Sequence, residues 1–195
     1  QDGIMLSNHL IKKKYNVYGH FRSVNKTKKL NKKIKLFKKV KLNRKFIFEK
    51  IKKINPNEIY FLIGQSSSFI SFENPHKTFE SNFYFLTYVV EACIHYKTKP
   101  NIFYASSGEI YGSQKKEISE KTNKNPQNPY SLSKYISMIY IKYMRSFFDL
   151  NISTGILFNH DSEFRSKNNI FKKIINFLKK KNFKKKLHLG NIDVY

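Results

Sequence analysis

A tyrosine and a lysine that could act together as a general base lie four residues apart, at Tyr130 and Lys134. In a helix this spacing puts both side chains on one face. A lysine ammonium beside a phenol favours the phenolate, which predicts a pKa of Tyr130 below its ordinary value of about 10. The phenolate could then remove a proton from a hydroxyl group. The chain holds 13 tyrosines and 34 lysines, so such a pair also arises by chance and needs supporting context.

Polar segments that follow three apolar, strand-like runs supply this context. They are residues 64–68, 106–109 and 159–160. Ligands of an open parallel sheet bind beyond the carboxyl ends of its strands, so we expect the three segments at one edge. Ser107 and Glu109 lie in the second segment. The sequence therefore predicts a site that combines a hydroxyl, a carboxylate, a phenol and an ammonium group.

The elements that must carry these side chains alternate between helical and strand-like patterns. Apolar spacing predicts helices at 4–11, 45–54, 78–96, from Tyr130 onward and at 168–181. Within 78–96 the residues predicted to face inward are Phe79, Phe83, Leu86, Val90 and Ile94. Short apolar runs predict strands at 16–22, 59–63, 102–105, 152–158 and 187–190, with 59–63 buried on both faces. The alternation predicts an α/β fold with a doubly wound parallel sheet.

The composition is strongly basic, with a formal net charge of +25. Such a charge would suit a nucleic-acid-binding module, which remains one alternative. However, only four of the 38 basic residues are arginines, and the lysines are spread along the chain. Lys, Asn, Ile, Phe and Tyr all have codons rich in A and T, so base bias explains their excess. We therefore predict no nucleic-acid partner.

The cysteine count and the hydropathy pattern bound the location of the protein. A single cysteine, Cys93, excludes an intramolecular disulfide framework and a CxxC metal site, and no metal is predicted. No apolar run approaches the roughly 20 residues of a membrane span, and no signal peptide is evident. These features predict a cytoplasmic protein without a membrane partner.

Six motifs, taken together, point to a family. They are Gln-Asp-Gly at 1–3, Gln-Ser at 65–66, Ser-Ser-Gly-Glu-Ile-Tyr-Gly at 106–112, Asn-Pro-Tyr-Ser-Leu-Ser-Lys at 128–134, Gly-Ile-Leu-Phe-Asn-His-Asp-Ser at 155–162 and Leu-Gly-Asn-Ile-Asp at 189–193. In this order and at these spacings the chain resembles the extended short-chain dehydrogenase/reductase family of nucleotide-sugar epimerases and dehydratases. Within it, the segment 155–162 most resembles the GDP-mannose 4,6-dehydratases.

The resemblance implies a hydro-lyase that converts GDP-mannose to GDP-4-keto-6-deoxymannose, using NADP on a Rossmann-like fold. It implies that Tyr130 takes the proton of the sugar 4-hydroxyl, that Lys134 holds the cofactor ribose and that Ser107 hydrogen-bonds the same hydroxyl. Glu109 would remove the proton on C5 and help to expel the 6-hydroxyl as water. A carboxylate at this position separates a dehydratase from a simple epimerase or reductase.

Ligand-binding residues also follow from the resemblance. Those implied for the cofactor, besides Lys134, are Gln1, Asp2, Gly3, Arg22, Gly64, Gln65, Ser66, His160 and Arg165. Arginine pairs with phosphate through two hydrogen bonds where lysine cannot, which favours a phosphate role for Arg22 and Arg165 in a lysine-rich chain. Residues implied for the substrate are Ser66, Asn159 and Lys173. The family also implies a homo-oligomer, either a dimer or a tetramer.

The limits of the chain lead to a further expectation and two alternatives. It begins at Gln1 and ends at Tyr195, which predicts a fragment truncated at both ends, with residues 1–195 forming an incomplete Rossmann-like domain and 159–195 beginning the sugar-nucleotide part. One alternative is another nucleotide-sugar enzyme of the same family, such as a dTDP-glucose dehydratase or a UDP-sugar epimerase. The other is an inactive remnant that keeps the fold.

Overall fold

The computed structural model describes residues 1–20, 30–37, 41–164, 169–180 and 186–189. Contacts divide the chain into two compact units. The terminal unit comprises Gln1–Lys39 with His160–Tyr195, and the central unit comprises Val40–Asn159. That residues 159–195 begin the sugar-nucleotide part stays a prediction.

Helices and strands alternate through the described residues. In chain order they are α1 (Asp2–Lys12), β1 (Tyr18–His20), β2 (Lys35–Phe37), α2 (Arg44–Ile54), β3 (Glu58–Phe61), α3 (Ser68–Glu73), α4 (Pro75–Phe79), a π-helical turn (Glu80–Tyr84), α5 (Phe85–His95), β4 (Asn101–Ser107), a 3₁₀ turn (Gly108–Tyr111), α6 (Pro129–Phe148), β5 (Ile152–Leu157) and α7 (Ile170–Lys179). Every strand pair is parallel within the part of the chain described. The predicted α/β class with parallel strands is confirmed.

The central unit is organised around the sheet β3–β4–β5. Its register pairs Phe61 with Tyr104 and Ile102 with Ile152, so large apolar side chains line up on one face. Helices α2, α5 and α6 cover this face and complete a hydrophobic core. Because all three strands run in parallel, the loops after them leave the same edge of the sheet.

The terminal unit holds the parallel pair β1–β2 with α1 and α7. Ile4 on α1 and Ile34 just before β2 are buried there. The basic, amphipathic helix α7 follows the predicted pattern, although no residue of it is buried.

Local sequence explains where the main helices of the central unit begin. Asn128 caps α6 by accepting a hydrogen bond from Ser131 N, and Ser131 completes a capping box. Pro129 takes the first helical position, where its missing N–H costs nothing. Asn43 caps α2 in the same way. The cap at Asn128 places Tyr130 and Lys134 in the first two turns of α6, as predicted.

The inward face predicted for 78–96 is only partly right. Leu86 and Val90 are fully buried, but Phe79, Phe83 and Ile94 are only half-buried. For Phe79 and Phe83 the cause is the π-helical turn, which adds a residue to the helical repeat and shifts the phase of the segment before α5. Two polar side chains, Thr78 and Asn82, take the buried positions instead.

Two strand predictions need correction. The run 59–63 is not buried on both faces, because Tyr60 is 39% exposed and the helices of the central core pack on the opposite face. The predicted strand 187–190 is wrong for 187–189, which lie in no helix or strand, while Gly190 falls outside the described residues. An apolar run shows that a segment can be buried, but the neighbouring elements decide which faces are covered.

Candidate active site

Ser107, Tyr130 and Lys134 come together where β4 ends against the start of α6. Lys134 Nζ donates a hydrogen bond to the carbonyl of Ala105 at 2.8 Å. Ser107, the last residue of β4, hydrogen-bonds the phenol of Tyr130. All three predicted side chains are buried, with 9%, 7% and 6% exposure. The predicted juxtaposition of a hydroxyl, a phenol and an ammonium group is therefore present.

The ammonium of Lys134 lies between aromatic rings rather than beside a carboxylate. It is 5.0 Å from the centre of the Tyr104 ring and 6.0 Å from that of Tyr130. Ring faces attract cations, but less strongly than water solvates them. Burial accordingly lowers the pKa of Lys134 to about 8. A positive charge at this site is held at a free-energy cost to the fold.

The phenol of Tyr130 does not show the lowered pKa that the sequence predicted. Burial raises its pKa above the ordinary value, and the nearby Glu109 carboxylate adds to the rise. The hydrogen bond with Ser107 opposes it by stabilising the phenolate. The expectation was wrong because it counted the lysine charge and omitted the loss of water around a buried phenol.

Glu109 lies in the turn after β4 and is exposed. Its Oε2 accepts one hydrogen bond from Ser68 Oγ at 2.7 Å and another from Asn128 Nδ2 at 3.2 Å. Ser68 belongs to the segment after β3, so two of the three predicted loops meet at this carboxylate. The backbone N–H of Glu109 donates to Ser107 Oγ at 3.3 Å, which joins the acid to the Ser–Tyr–Lys group.

The fully buried Asn82 holds this site together, although the sequence did not single it out. Its Nδ2 donates to Gln65 O at 3.1 Å and to Ser133 Oγ at 3.0 Å, while its Oδ1 accepts from Gln65 N at 2.9 Å. Its backbone carbonyl accepts from Tyr104 and Ser137. The side chain thus fastens the loop after β3 to α6.

A sequence signal for Asn82 does exist in hindsight. Thr78 and Asn82 are four residues apart, and so are Ser133 and Ser137 on α6. All four side chains are buried. Both pairs have the spacing of one helical face, which indicates that the two polar stripes face each other.

Gly64 and Gln65 lie in the loop that Asn82 holds. A β-carbon at Gly64 would lie 2.4 Å from Asn82 Oδ1 and 3.6 Å from Lys134 Nζ, so only glycine fits. Gln65 folds back on its own loop, with Nε2 donating to Ser67 O at 2.6 Å and Oε1 accepting from Ser67 N. Ser66, between Gln65 and Ser67, is exposed. The loop therefore lies close to the lysine ammonium.

A second cluster of predicted residues forms within the terminal unit. Asp2 Oδ1 and His160 Nε2 are 2.9 Å apart, and Gln1 Nε2 donates to His160 O at 3.1 Å. Ser162 Oγ donates to Gln1 Oε1 at 2.8 Å. Gly3 follows in the first turn of α1, and a β-carbon there would meet no atom of the described residues within 4 Å.

Within the described part of the chain, the hydrogen bonds that form the two clusters do not include the remaining predicted residues. Asn159 is exposed at the end of the central unit, and Lys173 is exposed on α7 in the terminal unit. Arg22 and Arg165 lie outside the described residues. Their assignments stay predictions.

Each of the two units, taken by itself, carries hydrogen-bond donors that suit part of a nicotinamide dinucleotide. Among the described residues, Lys134 Nζ donates one hydrogen bond, to the carbonyl of Ala105. Its other two N–H groups can therefore donate to the hydroxyls of a ribose. The start of α1 presents backbone N–H groups beside the open surface at Gly3, a setting that suits a phosphate. Both features are compatible with the predicted cofactor residues.

The part of the chain that the structure describes contains neither a metal-binding cluster nor a membrane-spanning helix. In these ranges no group of three or more His, Cys, Asp or Glu side chains could hold a metal ion. No helix among them is long and apolar enough to cross a membrane.

Comparisons with known proteins agree with the motifs. The family model described as GDP-mannose 4,6 dehydratase matches residues 1–195. GDP-mannose 4,6-dehydratase from Yersinia enterocolitica is 30% identical over 213 residues, covering 99% of this chain and 56% of the relative. The chain spans about half the length of the curated relatives it matches.

Solved structures share the fold. UDP-glucuronic acid 4-epimerase from Bacillus cereus, in complex with UDP-glucuronic acid and NAD, aligns with a TM-score of 0.78 at 17% identity, over 91% of this chain and 60% of that one. RMD from Pseudomonas aeruginosa, complexed with NADPH, gives 0.62 at 19% identity, over 70% of this chain and 49% of that one. The doubly wound, Rossmann-like fold predicted from the sequence is confirmed.

Proposed function

The chain belongs to the GDP-mannose 4,6-dehydratase family, and we propose that the protein converts GDP-mannose to GDP-4-keto-6-deoxymannose with NADP as cofactor. The observation that carries the proposal is the position of Glu109. The backbone N–H of Glu109 donates to Ser107 Oγ, and its carboxylate is near enough to the buried Tyr130 to raise the pKa of the phenol. A phenol and a lysine serve many sugar oxidations, whereas a dehydration also needs a base for a second carbon.

The first proton transfer is assigned to Tyr130. When bound, the nicotinamide cofactor supplies reversible hydride transfer, so the overall reaction needs no external oxidant. Tyr130 takes the proton of the 4-hydroxyl as that carbon becomes a ketone, and Ser107 hydrogen-bonds the same oxygen. Because burial raises the pKa of Tyr130, the neighbouring Lys134 ammonium and the Ser107 hydroxyl are needed to stabilise the phenolate.

The elimination is assigned to Glu109. The ketone acidifies the hydrogen on C5, and Glu109 removes it as a proton. The electron pair of that C–H bond forms the C5–C6 double bond while the C6–O bond breaks. The departing hydroxyl takes the proton from Glu109 and leaves as water, so the carboxylate is regenerated. The hydride taken from C4 would then return to C6, and C5 would take a proton from solvent by way of Glu109. Release of the proton that Tyr130 took from the 4-hydroxyl completes the balance.

The binding residues are proposed from the family motifs. Lys134 with Gly64, Gln65 and Ser66 would hold the ribose and nicotinamide side of the cofactor. Gln1, Asp2, Gly3 and His160 would hold its pyrophosphate side, with Arg22 and Arg165 on the phosphates. Ser66, Asn159 and Lys173 would contact the substrate.

The cofactor type, assembly and location are proposed on the same basis. Similar folds include an NAD complex and an NADPH complex, and the family motifs favour NADP. The same motifs favour a homo-oligomer. The single cysteine, Cys93, is buried and unpaired, which suits a reducing cytoplasm.

The test is turnover of GDP-mannose followed by mass spectrometry, in which dehydration removes one water from the sugar nucleotide. Glu109→Gln should abolish this loss, lowering turnover by at least about 10³-fold, while NADP binding stays intact. UDP-glucose serves as the comparison substrate for the epimerase alternative. Unchanged dehydration by Glu109→Gln, or conversion of UDP-glucose but not GDP-mannose, would refute the proposal.

A further inference from the structure

The Glu109 carboxylate is held asymmetrically. Both of its hydrogen bonds from side chains, from Ser68 and from Asn128, end on the same oxygen, Oε2. Among the described residues, Oε1 receives no such bond. One oxygen is therefore fixed by the protein and the other is left to meet a substrate.

The two donors come from separate parts of the central unit. Ser68 is the first residue of α3, and Asn128 is the capping residue of α6. The carboxylate thus connects the loop after β3, the turn after β4 and the start of the helix that carries Tyr130. Its position depends on all three elements at once.

Asn128 is well placed because its other groups are already occupied. Its Oδ1 accepts from Ser131 N at 2.8 Å, and its backbone N–H donates to Ser131 Oγ at 3.2 Å. These bonds fix the side-chain amide and aim Nδ2 at Glu109. A residue that only capped the helix would need an acceptor alone, as in Ser or Asp.

We propose that Ser68 and Asn128 are positioning residues for Glu109, which fix Oε2 so that Oε1 takes the C5 proton during dehydration. The inference rests on the proposed function and extends it to two residues that do not themselves touch reacting atoms. Hydrogen bonds to a charged carboxylate are strong and directional. Losing one of them should misplace the base without altering the Tyr130–Lys134 pair.

Two variants separate positioning from folding. Asn128→Asp keeps the shape and the capping oxygen but replaces the donor with a second negative charge near Glu109. Ser68→Ala removes the other donor, and Ser68→Thr restores a hydroxyl. Ser146→Ala is the matched control, because Ser146 is exposed on the far end of α6 and, among the described residues, its hydroxyl donates to Lys142 O alone.

The principal readout is the kinetic isotope effect with GDP-mannose deuterated at C5. Ser68→Ala and Asn128→Asp should each lower kcat by about tenfold, with KM little changed, and should raise the isotope effect because proton removal becomes slower. Ser68→Thr should recover most of the rate, and Ser146→Ala should match the unaltered protein. In a Glu109→Gln background, neither variant should lower the rate further.

A second readout does not depend on catalysis. In ¹⁵N-resolved NMR spectra, the side-chain amide signals of Asn128 should shift in Glu109→Gln and stay in place in Ser146→Ala. If neither the unaltered protein nor any variant dehydrates GDP-mannose, the proposed function fails. The amide shift still tests the contact between Asn128 and Glu109. An unmoved amide signal, or a rate loss with an unchanged isotope effect, would overturn the positioning role.

Discussion

The two clusters of predicted site residues are held in opposite ways. In the central unit, Ser107, Tyr130 and Lys134 are buried, and main-chain carbonyls and neighbouring helices fix them. In the terminal unit, Asp2 and His160 pair with each other while their side chains remain 42% and 47% exposed. One cluster is defined by surrounding structure, and the other by its own side chains.

Burial explains why this difference matters for chemistry. In the central unit it raises the pKa of Tyr130 and lowers that of Lys134 to about 8. At the terminal cluster, water competes for the contact between Asp2 and His160, so this contact contributes little. We therefore expect substitutions in the central unit to have large effects on rate and stability. Substitutions in the terminal cluster should have small effects on stability.

The sharpest test of the contrast is Tyr130→Phe. Turnover of GDP-mannose should fall by about 10²-fold or more, because the acid–base hydroxyl is lost while the ring packing remains. Tyr143→Phe, on the same helix but 67% exposed, should leave turnover unchanged. A near-normal rate in Tyr130→Phe would remove this residue from the mechanism.

Removing Asn82 tests whether the central cluster depends on its surroundings. Asn82→Ala should lower the free energy of unfolding by about 3 kcal/mol, because the buried groups that bond to the amide would lose their hydrogen-bond partner. Urea denaturation followed by circular dichroism measures this. Asn74→Ala is the control, since Asn74 is exposed and its side chain makes no capping bond. Equal losses in both variants would contradict the assigned role.

Lys134→Met should make the protein more stable and inactive. The folded-state pKa of about 8 lies below the ordinary lysine pKa of 10.5, so the fold carries the full cost of the charge below pH 8. That cost is relieved as the pH rises from about 8 toward 10.5. The variant should therefore gain about 2 kcal/mol at pH 7, after the lost bond to Ala105 is counted, and less at pH 10. A gain independent of pH would argue against this electrostatic cost.

The smallest effect is expected in the terminal cluster. Asp2→Asn removes the charge that faces His160 but keeps the side-chain shape. Because both side chains are partly exposed, the free energy of unfolding should change by less than about 0.5 kcal/mol. A loss comparable to that of Asn82→Ala would erase the contrast between the two clusters.

Much of the fold was predictable because it follows from local patterns. The capping sequence at Asn128 and Pro129 fixes the start of α6, and the apolar runs locate β4 and β5. The spacing of Tyr130 and Lys134 then places both in the first turns of one helix. Neighbouring residues are sufficient for these predictions because caps and helical periodicity act within a few residues.

Other features depended on contacts between distant residues. The π-helical turn that buries Asn82 in place of Phe83 has no simple periodic signal. The burial of 59–63 on both faces was overestimated because the run of apolar residues says nothing about which helices cover a strand. The two donors to Glu109 are 41 and 19 residues away from it in sequence.

The sequence by itself determined the α/β class and the family and singled out the candidate acid–base groups, because motifs and periodicity are carried by residues close together in the chain. Only the tertiary structure decided the electrostatics of those groups. The sequence predicted an acidified Tyr130, whereas the folded chain buries the phenol beside Glu109 and raises its pKa. Desolvation depends on everything that packs around a side chain, and this is settled only when the distant segments meet.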